Sequence, residues 1–146
     1  MKSFLAALAI AFAVMAPSIP AFAQADVRVA IQVDENDPSR MNLALNNAEN
    51  VKKYYESKGK TVEIAIVAYG PGLTMLRSDK SPVAKRIEAM ELESPNIHMQ
   101  ACANTMAGIE KKEGKKPPLL SGVTVVPSGV VQLIELQQQG WAYVRP

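Results

Sequence analysis

The chain has 146 residues and a formal net charge of only +2, from 16 basic and 14 acidic side chains. This near balance excludes the strong positive field that recruits nucleic acid or an anionic membrane surface. The single cysteine, Cys102, excludes an internal disulfide, so a hydrophobic core must hold the fold together.

The first 23 residues have the pattern of a secretory signal peptide. Lys2 precedes an apolar run over residues 4–16, and the small residues Ala21 and Ala23 stand at the −3 and −1 positions of a cleavage site. The run is too short to span a bilayer comfortably, which disfavours an uncleaved anchor. We therefore expect cleavage after Ala23, a periplasmic or secreted location, and a single domain over residues 24–146 with no membrane span.

The first half of this domain predicts two strands separated by a helix. Val27–Val33 is rich in β-branched residues, which is typical of a strand. Asp37 as N-cap and Pro38 in the first turn predict the start of a helix, and Gly59 is placed to end it. Residues 61–72 predict a second strand that runs into a glycine-proline turn.

The second half continues the alternation. Ser81-Pro82 predicts a helix start, 96–103 a third strand, 123–126 a fourth, and 141–144 a fifth. Pro127-Ser128 predicts a last helix, which stops at Gly140 and carries an apolar stripe of Val130, Leu133, Ile134 and Leu136. Strands that alternate with helices form βαβ units. We therefore predict a three-layer α/β/α domain with a mostly parallel five-stranded sheet.

Ligands of open parallel sheets bind at the carboxyl ends of the strands. The residues that the sequence places there are Cys102, Asp34, Asn36, Tyr69, Gly70, Gly72, Asn104, Thr105 and Ser128. Cys102 ends the third strand just before a short helix, whose first amides would favour a thiolate. The alternative is a structural cysteine that fills core space, because free cysteine is among the most buried residue types.

No base, metal set or cofactor motif accompanies this cysteine. His98 lies four strand positions away, about 13 Å at roughly 3.3 Å per residue, which disfavours both proton transfer and a shared metal ion. The chain has no C-x-x-C motif, and GPGLTMLR lacks the ending of a phosphate-binding loop. The lysines 111, 112, 115 and 116, interrupted by Glu113, predict a solvated loop. We predict no cofactor and no metal centre.

Five stretches of the chain carry a family resemblance: NLALNNAENVKKYY, IAIVAYGPGL, ACANTM, VVPSGVV and QQQGWAYVRP. With one cysteine at the end of its third strand, the domain resembles the DsrE/DsrF-like family of sulfur-relay proteins, and an exported branch of it in particular. The resemblance implies that Cys102 accepts sulfane sulfur as a persulfide and hands it on, between a donor and an acceptor protein. It also implies a homo-oligomer, either a trimer or a hexamer.

Three functions stay open once the resemblance is weighed beside the residues. The first is a sulfur carrier, which is not a turnover enzyme because no general acid or base is visible. The second is a periplasmic binding or assembly module, in which the strand-end crevice holds a small ligand or a soft metal such as Cu(I) and Cys102 is structural or a ligand. The third is a homodimer linked by a Cys102 disulfide, which would require an exposed thiol.

Overall fold

A computed structural model of the protein describes residues 24–146, so the predicted signal peptide lies outside the described residues. The strands are β1 (Val27–Val33), β2 (Val62–Ala68), β3 (Ile97–Cys102), β4 (Thr124–Val126) and β5 (Ala142–Val144). The helices are α1 (Pro38–Glu56), a 3₁₀ helix (Gly70–Leu76), α2 (Ala84–Glu93), α3 (Ala103–Glu113) and α4 (Gly129–Gln138). Within the described range, no helix combines the length and the apolar character needed to cross a membrane.

The five strands form one sheet in the order β4-β3-β2-β1-β5. All four pairs of neighbouring strands run parallel, with Val27 opposite Val62 in the central β1–β2 pair and Cys102 opposite Val126 in the β3–β4 pair. The predicted three-layer α/β fold with five strands is therefore confirmed, and the sheet is wholly parallel.

The direction of each crossover decides which face a helix covers. From β1 to β4 the chain steps in one direction across the sheet, so right-handed crossovers place α1, α2 and α3 on the same face. The connection from β4 back to β5 runs the opposite way, and α4 therefore lies on the other face. The buried residues divide accordingly into a large cluster with α1, α2 and α3, and a small cluster in which Leu133 and Leu136 of α4 cover Ala30, Ala65 and Val67.

Helix α1 begins as the sequence predicts. The Asp37 side chain accepts a hydrogen bond from the Ser39 amide at 2.8 Å, and Pro38 occupies the first turn. The buried positions recur at helical spacing, as Met41, Ala44, Leu45 and Ala48. The helix ends at Glu56, and Gly59 follows in the loop with a left-handed φ of 72°.

Several local predictions differ from the structure. The predicted turn at residues 70–72 is the start of a 3₁₀ helix, because Leu73, Met75 and Leu76 become buried as the chain winds on to residue 76. Lys111 and Lys112 lie in the last turn of α3 and not in a loop, a position where positive charge favours the helix dipole.

Three further differences concern the start of α2, the cap of α4 and the apolar stripe of α4. α2 begins at Ala84, because the Ser81 hydroxyl accepts the Val83 amide at 3.2 Å and holds a turn before it. Ser128 precedes α4 as predicted, but its side chain makes no capping hydrogen bond. On the predicted α4 stripe, Val130 and Ile134 are about half exposed, at 52% and 48%, because α4 buries only the side that faces the sheet.

Candidate functional site

Cys102 lies at the topological switch point of the sheet. It is the last residue of β3 and stands opposite Val126, the last residue of β4. From these two neighbouring strand ends the chain leaves towards opposite faces, into α3 on one side and α4 on the other. A crevice opens outside the strands at such a point, which is where ligands of open α/β sheets bind.

The first turns of two helices converge on the cysteine sulfur. Cys102 is the N-cap of α3, and its Sγ accepts a hydrogen bond from the Thr105 amide at 3.4 Å. The amides of Asn104 and of Gly129, the first residue of α4, also lower the pKa of the Cys102 thiol. Because the N-terminus of each helix carries a partial positive charge, both helices stabilise negative charge on the sulfur.

Burial and hydrogen bonding act on this thiol in opposite directions. Burial raises the pKa of Cys102, whose residue surface is only 4% exposed. The hydroxyl of Thr105 and the amides of Gly129, Thr105 and Asn104 lower the pKa by more, so that it lies below the usual range of a cysteine. The site therefore favours a thiolate that is screened from bulk water.

Thr105 links the sulfur to the preceding strand end. Its Oγ1 accepts a hydrogen bond from the Gly70 amide at 2.9 Å, and its hydroxyl lowers the pKa of Cys102. Gly70 adopts a left-handed φ of 54°, which a side chain would strain. Thr105 therefore contacts the start of the 3₁₀ helix through its hydroxyl and the sulfur through its amide.

Tyr69 forms a wall of the same crevice. A Cβ on Gly129 would lie 2.8 Å from the Tyr69 Cβ, so only glycine lets the start of α4 approach this residue. Burial raises the pKa of Tyr69, and the nearby Asp34 carboxylate adds to the increase. Asp34 in turn forms an ion pair with Arg145 at 3.2 Å, which brings the C-terminal residues to this end of the sheet.

The remaining predicted site residues lie at different distances from this centre. Ser128 immediately precedes Gly129, and Asn36 lies on a cleft between the 3₁₀ helix and α3 that Gly70 and Thr105 also line. Gly72 packs against the end of β1, where a Cβ would lie 2.3 Å from the Val33 carbonyl oxygen, so its role is close backbone packing.

Two residues that contribute to the site, Gly129 and Arg145, are not among the predicted site residues, although the segment with Gly129 was expected at a strand end. The segment Pro127-Ser128-Gly129 does signal a tight strand-to-helix connection, but the contact partner of its glycine is 60 positions away in the chain. No sequence signal joins Arg145 to Asp34, because the contact depends on β5 lying next to β1.

Metal ligands do not cluster in the described part of the chain. Among residues 24–146, no group of three or more His, Cys, Asp or Glu side chains is arranged to hold a metal ion. His98 lies earlier on β3, and its Nε2 is 3.4 Å from Glu63 Oε1 on the neighbouring strand. The described groups around Cys102 are hydrogen-bond donors, which suit an anionic sulfur.

The fold and the site together define a parallel α/β domain with a single buried cysteine at the switch point of its sheet. Residues 27–146 match the model of the DsrE/DsrF-like family. The chain therefore belongs to the DsrE/DsrF-like family, which is generally linked to sulfur relay, and the resemblance seen in the sequence is confirmed.

A solved structure supports this assignment. The chain is similar to a protein of unknown function from Methanobacterium thermoautotrophicum, at 37% sequence identity and a TM-score of 0.69. The similarity covers 83% of this chain and 100% of that one. No curated protein matches the chain with significant similarity.

Proposed function

We propose that this protein is a sulfur carrier that holds sulfane sulfur as a persulfide on Cys102. The observation that carries the proposal is the position of Sγ at the start of α3, where it accepts a hydrogen bond from the Thr105 amide. The Thr105 hydroxyl and the amides at the starts of two helices lower the pKa of this thiol. A thiolate is the nucleophile in thiol–disulfide and persulfide chemistry, and these donors favour it over the thiol.

The loading step balances without an added oxidant. The Cys102 thiolate attacks the terminal sulfur of a donor R–S–SH, a new S–S bond forms on Cys102, the donor S–S bond breaks, and RS⁻ leaves with the electron pair. In delivery, the thiolate of an acceptor attacks the terminal sulfur of Cys102–S–SH and the Cys102 thiolate leaves. Because Cys102 enters and leaves as a thiolate, neither step requires a general base.

Burial of the sulfur supports a carrier over a disulfide-linked dimer. A disulfide between two copies requires both sulfur atoms to come within about 2 Å of each other. Cys102 is only 4% exposed and its sulfur points at the helix amides, so a second folded copy has poor access to it. A small persulfide donor needs far less room.

Location, partners and assembly are further parts of the proposal. The signal-peptide pattern of residues 1–23 supports export to the periplasm, where donor and acceptor proteins of sulfur relay would exchange sulfur with Cys102. The half-exposed apolar side chains Val130, Val131 and Ile134 on α4 support a homo-oligomer, such as a trimer or a hexamer.

Intact mass spectrometry tests the carrier function. The protein is measured before and after treatment with polysulfide, and again after a reductant, with Cys102→Ser as the matched control. We expect a gain of one sulfur, about 32 Da, that the reductant removes and that the serine variant lacks. A thiol that stays unmodified in polysulfide would contradict the carrier function and favour a binding module with a structural cysteine.

A further inference from the structure

A cleft of about 530 Å³ lies between the 3₁₀ helix and α3, next to the cysteine site. This volume falls within the usual range of small-molecule sites, roughly 300–1,000 Å³. The residues that line the cleft include Asn36, Lys80, Thr105, Gly108 and Lys112.

Positive charge exceeds negative charge in this cleft. Arg77, Lys80 and Lys112 line it together with a single carboxylate, that of Glu113. Arg77 is 3% exposed and is held by both oxygens of Glu113 and of Asp79, and Lys80 pairs with Glu113 at 2.8 Å, so both of these positive charges already have carboxylate partners. Within residues 24–146, Lys112 is exposed and forms no ion pair, which leaves its ammonium group available to an anion.

Gly108 keeps the cleft open. It lies in the interior of α3, where glycine is less favourable than alanine in a helix. Packing does not explain this glycine, because a Cβ at residue 108 would meet no atom within 4 Å. The missing side chain leaves empty space, and that space belongs to the cleft.

The inner wall of the cleft is also a wall of the cysteine site. Thr105 lines the cleft, and its amide lies 3.4 Å from the Cys102 Sγ. Gly70 lines the cleft as well and donates its amide to the Thr105 hydroxyl. A molecule seated between α3 and the 3₁₀ helix would therefore have its inner end one residue away from the sulfur.

We propose that the cleft between the 3₁₀ helix and α3 binds a small anionic persulfide, and that this molecule is a direct sulfur donor to Cys102. The inference rests on the proposed carrier function and adds the chemical class of the donor. The negatively charged group of the donor pairs with Lys112, and its sulfane sulfur points towards Thr105. The Cys102 thiolate takes the terminal sulfur, and the donor leaves as a thiolate.

The test compares three donors that differ mainly in charge. Persulfides of 3-mercaptopropionate, 2-mercaptoethanol and cysteamine carry a carboxylate, a hydroxyl and an ammonium group, respectively. The rate of loading of Cys102 with each is measured by quenched-flow mass spectrometry and divided by the rate with a small thiol in solution. We expect the carboxylate donor to load about tenfold faster than the ammonium donor, with the difference decreasing as salt is added.

Two pairs of variants locate this selectivity. Lys112→Gln should lower the loading rate with the carboxylate donor about fivefold, the factor for one unit charge about 4 Å away in water, while its neighbour Lys111→Gln should leave the rate unchanged. Gly108→Leu should block the cleft, while Ala107→Leu adds the same side chain on an exposed position of α3 that does not line it. Alkylation of Cys102 by iodoacetamide reports whether a variant has altered the thiolate itself.

A binding measurement separates failure of the inference from failure of the carrier function. The Cys102→Ser protein is titrated with 3-(methylthio)propionate, which carries no sulfane sulfur, and the amide resonances of Thr105, Gly108 and Lys112 are followed. Shifts that Lys112→Gln weakens would support the anion site. Loading that proceeds equally with all three donors and ignores both cleft variants would overturn the inference while the carrier function stands. Absence of loading with every donor would overturn the carrier function, and with it the donor assignment.

Discussion

Thr105→Val is the most direct perturbation of the cysteine site. Valine has nearly the shape of threonine but lacks the hydroxyl that lowers the pKa of Cys102 and accepts a hydrogen bond from the Gly70 amide. We expect the pKa of Cys102 to increase, because burial continues to favour the thiol while one of the donors that oppose burial is lost. Thr105→Ser keeps the hydroxyl and is the matched control.

The size of the effect follows from the hydrogen bond that is removed. A hydrogen bond to a charged group contributes about 1.5–3 kcal/mol, and about 1.4 kcal/mol corresponds to a factor of ten. At a pH below the pKa of Cys102, the thiolate fraction in Thr105→Val should therefore decrease by about tenfold or more. The remaining thiolate is more basic and thus more nucleophilic, so the alkylation rate should decrease less, by roughly threefold for a Brønsted slope of about 0.4–0.5.

Two assays read these quantities separately. Ultraviolet absorbance of the thiolate against pH gives the ionised fraction, and the rate of iodoacetamide alkylation gives the reactivity. The unpaired Gly70 amide should in addition lower the free energy of unfolding by about 1–3 kcal/mol in Thr105→Val. An unchanged thiolate titration, or a change of the same size in Thr105→Ser, would refute the assignment of the Thr105 hydroxyl as a donor to the sulfur.

The ionised cysteine should also make stability depend on pH. Because the pKa of Cys102 is lowered in the folded protein, its contribution is fully present above the pKa of the unfolded thiol and is lost as the pH falls through the lowered value. The difference in unfolding free energy between the wild type and Cys102→Ser should therefore grow with rising pH across that interval. In Thr105→Val this growth should be smaller.

Three further predictions address the surroundings of the site. Gly129→Ala should lower the free energy of unfolding by ~1–3 kcal/mol and raise the pKa of the cysteine, since its Cβ would lie 2.8 Å from a tyrosine Cβ; an unaltered denaturant midpoint would contradict this. Gly72→Ala should destabilise the protein by ~3 kcal/mol or more, whereas Gly108→Ala should stabilise it by ~1 kcal/mol; similar melting temperatures would argue against these placements. Hydrogen bonds from Arg77 and, to a smaller extent, Lys80 lower the pKa of Glu113 to about 2. The stability of the protein should therefore decline as the pH falls from 4.5 towards 2. Circular dichroism follows this acid transition, and Glu113→Gln should lack this part of it.

The sequence was sufficient to predict the position of Cys102. Alternating strands and helices imply a parallel sheet, and the β-branched runs locate its strands within a few residues, so a cysteine at residue 102 had to lie at a strand end. Asn104 and Thr105, which follow Cys102, were then expected in the first turn of a helix, and they lie in the first turn of α3.

The second helix at the sulfur could not be predicted in this way. Whether α4 starts beside Cys102 depends on the order of the strands, and the sequence does not contain the direction of the last crossover. The cleft has the same origin, because Arg77 and Glu113 are 36 residues apart and meet only when α3 folds back beside the 3₁₀ helix. Lys112, which the sequence analysis predicted to lie in a loop, becomes part of one wall of the cleft because α3 extends through Glu113.

The nature of the donors around Cys102 leads to a last prediction, on salt. Amides and a hydroxyl, which are fixed dipoles in a buried place, stabilise the sulfur, whereas the cation of the cleft is the exposed Lys112. Salt screens exposed charges over a Debye length of about 10 Å at 0.1 M and about 3 Å at 1 M, but it screens buried groups much less. Between these concentrations the pKa of Cys102 should therefore stay constant, while the preference for the carboxylate donor should disappear. A thiolate titration that moves with salt would instead show that a surface cation, and not the paired helix starts, stabilises the sulfur.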